Sequence, residues 1–86
     1  MLYRIFTEDI KKNRKAIEKA VCKQFEGYTI IKSEGFWRLQ KENSLIIEIV
    51  TEDSDARISK IAKDIKAVNS QEAVLVQKIK NNQWLV

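Results

Sequence analysis

The chain has 86 residues, of which 44% are apolar and 33% are charged, with two glycines and no proline. A chain of this length builds one hydrophobic core, so residues 1–86 are predicted to form a single domain with nearly continuous regular structure. The sequence contains no histidine and one cysteine, Cys22. This composition excludes an internal disulfide, a Cys–His metal site and Cys–His catalysis. We therefore predict no catalytic residues, no cofactor and no metal ligands.

The formal charge of +4 is spread over a chain in which acids are interspersed with bases. One segment is unevenly basic, and its members form a candidate basic surface: Lys11, Lys12, Arg14, Lys15, Lys19 and Lys23. This segment is either the solvated face of a helix or a weak nucleic-acid-binding surface. The first ten residues carry Arg4, Glu8 and Asp9, which is typical neither of a signal peptide nor of a membrane span. We expect a cytoplasmic protein that makes no membrane contact.

The first part of the chain predicts a strand and then a helix. Leu2 to Thr7 is rich in β-forming residues and has no helical period, so it is predicted to be the first strand. Apolar residues then recur at every fourth position from Ile17 to Phe25, which predicts a helix. Asn13 is the predicted N-cap and Gly27 the predicted C′ residue. Cys22 lies beside the apolar stripe and is predicted to be a small core residue.

The middle of the chain predicts a β-hairpin. Tyr28 to Ile31 and Phe36 to Leu39 are β-branched and aromatic, and Gly35 between them indicates a bulge or bend. Lys41 to Ser44 is polar and has the length of a hairpin turn. Leu45 to Thr51 is the most strongly β-forming segment of the chain. The two strands on either side of this turn are therefore predicted to pair.

The last part of the chain predicts a second helix and a fourth strand. Asp53 or Ser54 is the predicted N-cap, and an apolar stripe from Ile58 to Val68 ends at Asn69, the predicted C′ residue. Ala73 to Ile79 is predicted to be a strand. The order β-α-β-β-α-β is that of a ferredoxin-like α+β fold, a four-stranded antiparallel sheet with two helices on one face. A short C-terminal extension follows it.

Both faces of the predicted sheet carry apolar side chains. Ile46 and Val50 flank Glu48 on one face of the third strand, and the fourth strand is apolar on both sides. Two helices cover only one face, and a large exposed apolar patch is unusual in a monomer. We therefore predict a homo-oligomer, either a dimer or a trimer. The predicted interface consists of Phe36, Trp37, Ile46, Val50, Val74, Val76, Trp84 and Leu85. In the alternative, the tail, Asn81 to Val86, folds back over its own sheet.

Four short segments resemble a known superfamily. They are Gly35-Phe36-Trp37-Arg38, the strand Leu45 to Thr51 (LIIEIVT), the segment Ile65 to Val76 (IKAVNSQEAVLV) and the pair Trp84-Leu85. Each is similar to the matching segment of the PII/CutA-type superfamily of small ferredoxin-like trimers. The resemblance implies a trimeric scaffold. It does not imply metal binding, because Asn69, Ser70 and Gln71 stand where CutA-type proteins have His and Pro-Tyr before a glutamate, here Glu72.

Acidic residues at the ends of two predicted strands offer an alternative. Glu8 and Asp9 after the first strand, with Glu52, Asp53 and Asp55 after the third, would hold a hard cation if they converged; as isolated residues they are ordinary caps and loop residues. Asp9 is similar in position to the aspartate of metal-dependent nucleases of the small Cas2-like ferredoxin type. The leading hypothesis is a non-enzymatic homo-oligomeric binding or regulatory module, with a protein partner or a ligand. The alternative is a nucleic-acid-associated protein or a metal-dependent nuclease.

Overall fold

The computed structural model describes residues 1–80 and 82–86, with Trp37 described by its backbone alone; Asn81, part of the predicted tail turn, lies outside the described residues. The elements are β1 (Leu2–Glu8), a 3-10 helix (Lys11–Asn13), α1 (Arg14–Cys22), β2 (Thr29–Trp37), β3 (Gln40–Val50), α2 (Asp55–Val68) and β4 (Leu75–Ile79). All strand pairs are antiparallel and the sheet order is β2-β3-β1-β4. The predicted ferredoxin-like α+β fold is confirmed.

The core lies between one face of the sheet and the two helices. Alternate residues of a strand point to opposite faces, and the burial pattern of β1 and β3 follows this alternation. The most deeply buried side chains are Tyr3, Ile5, Ile17, Val21, Leu45, Ile47, Ile49, Ile58, Ile61 and Ile65. We call the side of the sheet that faces the helices the inner face and the opposite side the open face.

Helix α1 is shorter than its apolar stripe predicts. It ends at Cys22, whereas Phe25 still contributes to the core from the segment beyond it. Gly27 is therefore not a C′ residue, and its φ is not positive. Cys22 is exposed, so its prediction as a core residue is wrong. Asn13 occupies the N-cap position, but its side chain makes no capping hydrogen bond.

Helix α2 has nearly the predicted limits. Ser54, one of the two predicted candidates, is its N-cap, and Asn69 is its C-cap. The residue that takes the left-handed conformation after the helix is Ser70, with φ of 51°. The predicted C′ position is therefore displaced by one residue. Among the described residues, no helix is long and apolar enough to cross a membrane.

The β2–β3 hairpin is confirmed, but its turn lies elsewhere than predicted. The two turn residues are Arg38 and Leu39, with φ of 49° and 66°, as the tight turns that suit hairpin twist require. Lys41 to Ser44 belongs to β3. Gly35 is paired with Glu42 in regular register, so the predicted bulge is absent. The position of the turn was predicted wrongly because Arg38-Leu39 lacks the Asn or Gly that normally identifies such a turn.

Candidate functional site

The open face of the sheet carries an apolar row that crosses all four strands. Residues paired across neighbouring strands point to the same face, and the register aligns Ile31 with Ile46, Ile46 with Phe6, and Phe6 with Leu75. Ile31 and Leu75 are 40% and 58% exposed, and the two central side chains are half-buried. A second apolar row, formed by Val50, Leu2 and Ile79, runs parallel to the first.

A polar row separates the two apolar rows. It consists of Thr29, Glu48, Arg4 and Gln77 in register. Arg4 Nε donates to Glu48 Oε2 at 2.8 Å, and both side chains are partly exposed. No described part of the chain packs over this face: the helices lie on the inner face, and Trp84 in the tail is 83% exposed. The alternative that the tail covers its own sheet is therefore wrong for the isolated chain.

The β2–β3 hairpin extends beyond the rest of the sheet. β1 ends at the level of the Glu8–Ser44 pair, whereas β2 and β3 remain paired as far as Trp37 and Gln40. We call residues 34–43 the arm. Phe36 on the arm is 68% exposed, and Lys41 pairs with Glu34 at 3.0 Å. A two-stranded ribbon is marginally stable alone in water, so the arm, with its exposed Phe36, is a second candidate contact surface.

The residues of the predicted interface do not form one surface. Ile46 and Val50 lie on the open face, as predicted. Val76 is paired with Ile5 and lies on the inner side, and Val74 packs against the core. The prediction that Val74 and Val76 share a surface with Ile46 is therefore wrong. The residues of β4 on the open face are Leu75 and Ile79. Phe36 lies on the arm, Trp84 and Leu85 lie in the exposed tail, and the Trp37 side chain lies outside the described part.

The acidic residues after β1 and β3 lie at opposite ends of the sheet. β1 and β3 are antiparallel, with Glu8 paired to Ser44 at one end and Leu2 paired to Val50 at the other. Glu8 and Asp9 therefore do not come together with Asp53, and the alternative of a cation site shared by these acids is wrong. Within residues 1–80 and 82–86, no three His, Cys, Asp or Glu side chains come together as metal ligands. Asp9 instead forms an ion pair with Arg14, in which Asp9 Oδ1 lies 3.9 Å from Arg14 Nη1.

Two of these acids neutralise a lysine at one corner of the inner face. Tyr3 Oη donates to Asp55 Oδ1 at 2.5 Å, and Lys78 Nζ lies 3.2 Å from Asp53 Oδ1 and 3.1 Å from Asp55 Oδ1. The hydrogen bond from Tyr3, with that from Lys78, lowers the pKa of Asp55. The same carboxylates raise the pKa of Lys78 above its ordinary range. This corner is a closed charge cluster.

A hydrogen-bond network that the sequence did not reveal joins both helices to β1. Asn69 is buried, and its Nδ2 donates to Thr7 Oγ1 at 2.9 Å and to the Glu8 carbonyl at 3.1 Å. Asn13 Nδ2 donates to Asn69 Oδ1 at 3.0 Å and to the Val68 carbonyl at 3.1 Å. Gln71 also accepts a hydrogen bond from Thr7. Asn69 and Gln71 therefore tie β1 to the end of α2.

The predicted basic surface lies on the helical side of the molecule. Lys11 and Lys12 are exposed on the 3-10 helix, and Lys15, Lys19 and Lys23 are exposed on or directly after α1. Arg14 differs from them: it is partly buried and pairs with Asp9 and, at 3.7 Å, with Glu18. Arg14 is thus engaged within the fold, and the five lysines face solvent.

No family model matches the chain, and no curated protein matches it. Several solved structures share its fold. A phage SAM lyase in the apo state is 20% identical, with a TM-score of 0.67 over 87% of this chain and 75% of that one. A DUF3240 family protein from Shewanella baltica is 13% identical, with a TM-score of 0.62 over 99% of this chain and 94% of that one.

A periplasmic divalent cation tolerance protein, CutA, from Archaeoglobus fulgidus is 18% identical, with a TM-score of 0.57 over 96% of this chain and 88% of that one. At these identities the likeness is one of fold. The resemblance to PII/CutA-type proteins that the sequence indicated is confirmed at that level.

Proposed function

We propose that this protein is a small homo-oligomeric binding module without catalytic activity, whose subunits meet through the open face of the sheet. The observation that supports it best is the pair of apolar rows on a face that no described part of the chain covers. Exposed apolar area costs about 25 cal/mol per Å². Contiguous patches of this kind on soluble proteins mark sites of association.

The polar row between the apolar rows gives the contact its register. Arg4 and Glu48 lie side by side on the open face. A two-fold axis places the same patch on both subunits, so the arginine of one subunit can face the glutamate of the other. In a three-fold arrangement the apolar rows would meet around the axis instead. Both arrangements bury the two apolar rows.

The arm supplies the rest of the interface. Four strands about 4.8 Å apart and about seven residues long cover roughly 400 Å² of flat sheet, about half of the 800 Å² that each partner buries in a standard interface. Residues 34–43 extend past this area and carry Phe36 at 68% exposure. Packing of the arm on a neighbouring subunit would stabilise it and create clefts between subunits. Such clefts are the expected binding sites.

The test is the molar mass in solution, measured by light scattering after size-exclusion chromatography. The subunit mass is 10.1 kDa, and we expect the wild-type protein to elute at two or three times this value. Ile46→Glu places a charge within the first apolar row and is expected to give a monomer. Ala56→Glu adds the same charge at an exposed position of α2 and is expected to leave the mass unchanged.

Circular dichroism verifies that both variants are folded. A monomeric wild-type protein, or an Ile46→Glu variant that remains folded and fully associated, would contradict the proposal.

A second candidate function is cleavage of S-adenosylmethionine. The observation that favours it is the fold shared with a phage SAM lyase over 87% of the chain. The chain has no histidine, which removes the usual acid–base group at neutral pH. Cleavage at a sulfonium does not need one for the leaving group: the carboxylate of the substrate's own amino-acid chain can form the new C–O bond of a lactone while the C–S electron pair leaves with the sulfur as a neutral thioether. This reaction is therefore compatible with a chain that has no histidine to act as a general acid or base.

The test for this candidate is incubation of the wild-type protein and of Ile46→Glu with S-adenosylmethionine. Reversed-phase chromatography with mass spectrometry follows the sulfonium and the adenosyl thioether. A rate above buffer that is lost in the monomeric variant would assign an active site between subunits. A rate equal to buffer would eliminate the lyase and leave the binding module.

A further inference from the structure

The charge of the protein is divided between its two layers. The helical segments, residues 11–23 and 55–68, contain ten basic and three acidic residues, a formal charge of +7. The remaining residues contain six basic and nine acidic residues, a formal charge of −3. The modest net charge of +4 therefore conceals one strongly basic side. The sequence indicated this only in part, because Lys60 of α2 lies beside Lys19 and Lys23 of α1 only in the folded chain.

A groove runs along this basic side between the two helices. Its volume is about 410 Å³, and its floor contains the small side chains of Ala16, Ala20 and Ala67. Lys19 and Lys23 line one side and Lys60 lines the other. The one acid in the lining is Asp64, which is paired with Lys60 at 2.9 Å. A chain of negative charges can therefore approach the groove without meeting an uncompensated carboxylate.

We propose that this groove and its lysines bind the phosphodiester backbone of duplex DNA without reading its sequence. Lys15, Lys19 and Lys23 recur every four residues, about 6 Å apart along a helix axis. Adjacent phosphates of one DNA strand, which rise about 3.4 Å along the duplex axis and are also displaced around it, lie at a similar distance through space, roughly 7 Å. Lysine ammonium groups on flexible stems suit phosphate contacts, which position a protein on DNA and carry no sequence information.

The distribution of apolar residues favours DNA over an anionic membrane. Proteins that lie on a membrane insert apolar side chains beside their basic residues. Here most of the large exposed apolar side chains of the body, such as Ile31 and Leu75, lie on the open face, and the apolar residues that line the groove are three alanines and Val68. The basic surface and the open face point in opposite directions. Subunit association through the sheet would leave the groove accessible, and the proposal does not depend on that association.

The test uses a fluorescein-labelled 20-base-pair duplex of arbitrary sequence and fluorescence anisotropy at several salt concentrations. The groove variant is Lys19→Gln/Lys23→Gln. The matched control is Lys32→Gln/Lys80→Gln, which removes the same charge from exposed lysines outside the helical layer and outside the arm. The two double variants have the same net charge, so any difference between them reports the position of the lysines. Circular dichroism and light scattering verify that both remain folded and equally associated.

We expect wild-type binding at 50 mM salt that weakens steeply with salt. Each lost phosphate contact lowers the slope of log K against log salt by about 0.9. The groove variant should therefore lose about 1.8 from the slope and about tenfold or more in affinity, while the control stays within about twofold of wild type. Equal losses in both variants would reduce the effect to net charge and overturn the proposal. So would the absence of wild-type binding at 50 mM salt, or binding to phosphatidylserine vesicles without binding to DNA.

Discussion

The two faces of the sheet are built from the same residue types but have opposite surroundings. Ile47 on the inner face is fully buried under the helices, whereas Ile46, the next residue along β3, points to the open face and is half-buried. The inner face of β1 presents Tyr3 and Ile5, and its open face presents Phe6. At these positions strand propensity and hydrophobicity are alike on the two faces. The difference lies in what covers them.

The apolar content of a strand therefore indicates whether one or both of its faces are to be buried. The topology shows which of the two faces the helices cover. An ordinary two-layer domain alternates apolar and polar residues along each strand. Here the open face follows that rule in the row with Arg4 and Glu48 and in the end row with Ser44. The two apolar rows consist of residues typical of a core. The open face is thus half a core whose other half is expected on a second subunit.

Truncation of the two adjacent isoleucines of β3 gives the largest effect. We expect Ile47→Ala to lower the free energy of unfolding by about 3 to 4 kcal/mol, because it leaves a cavity in the core. Ile46→Ala should cost about 1 kcal/mol in the isolated subunit. Urea denaturation followed by circular dichroism at several protein concentrations measures both.

The dependence on concentration separates the two faces. The cost of Ile46→Ala should increase with protein concentration, since the wild-type protein gains stability from association and the variant gains less. The cost of Ile47→Ala should stay nearly constant. A cost for Ile46→Ala that is independent of concentration would show that its face remains uncovered in solution.

The element order was predictable from the sequence because helix and strand periods differ clearly. Apolar residues recur at every fourth position from Ile17 to Phe25, and the strand that begins at Leu45 is rich in β-branched residues. In each element the apolar residues of one face are buried, so the sequence pattern agrees with the packing. The hairpin turn was not predictable. Arg38 and Leu39 adopt positive φ without glycine or asparagine, because the long ladder of pairs between β2 and β3 determines where the chain reverses.

The open face was predicted only where one strand sufficed to define it. Ile46 and Val50 were identified from the alternation within β3, but Phe6, Ile31 and Leu75 join them only through the register of four strands. The Asn69 network was missed for the same reason, since its partners are about 60 residues away in sequence. Long-range pairings set these features, and local patterns do not encode them.

Polar groups on the two faces should also differ in their contribution to stability. Asn69 is buried and donates to Thr7 Oγ1 and to the Glu8 carbonyl, so Asn69→Ala removes both hydrogen bonds from a buried network. We expect it to lower the free energy of unfolding by about 1 to 3 kcal/mol. Glu48→Gln breaks the pair with Arg4 on the open face, where solvent screens the charges, and should cost less than about 1 kcal/mol.

Urea denaturation at a concentration low enough to keep the protein monomeric compares the two variants. Equal losses would show that the open-face pair is already shielded from solvent within one subunit.

The smallest expected effect is a difference in pH dependence between carboxylates at the two ends of the sheet. Burial, with the neighbouring Glu42, raises the pKa of Glu8 above its ordinary value of 4.5. Ionised Glu8 therefore opposes folding, and Glu8→Gln should raise stability at pH 7, a gain that disappears as the pH falls below about 4.5. Asp55 has a pKa lowered below 3.8 by its hydrogen bond from Tyr3. Asp55→Asn should lower stability at pH 7, and this loss should fade below pH 3.8.

Urea midpoints from pH 3 to pH 8 measure both curves, and shifts of the same sign at pH 7 would contradict the assignment. The positions of the two carboxylates also predict different dependences on protein concentration. Glu8 and Ser44 are paired at the end of the open face, so subunit association through that face would desolvate Glu8 further and enlarge the benefit of Glu8→Gln as protein concentration rises. Asp55 lies at the opposite end, beside Tyr3 of the inner face, so the cost of Asp55→Asn should not change with concentration.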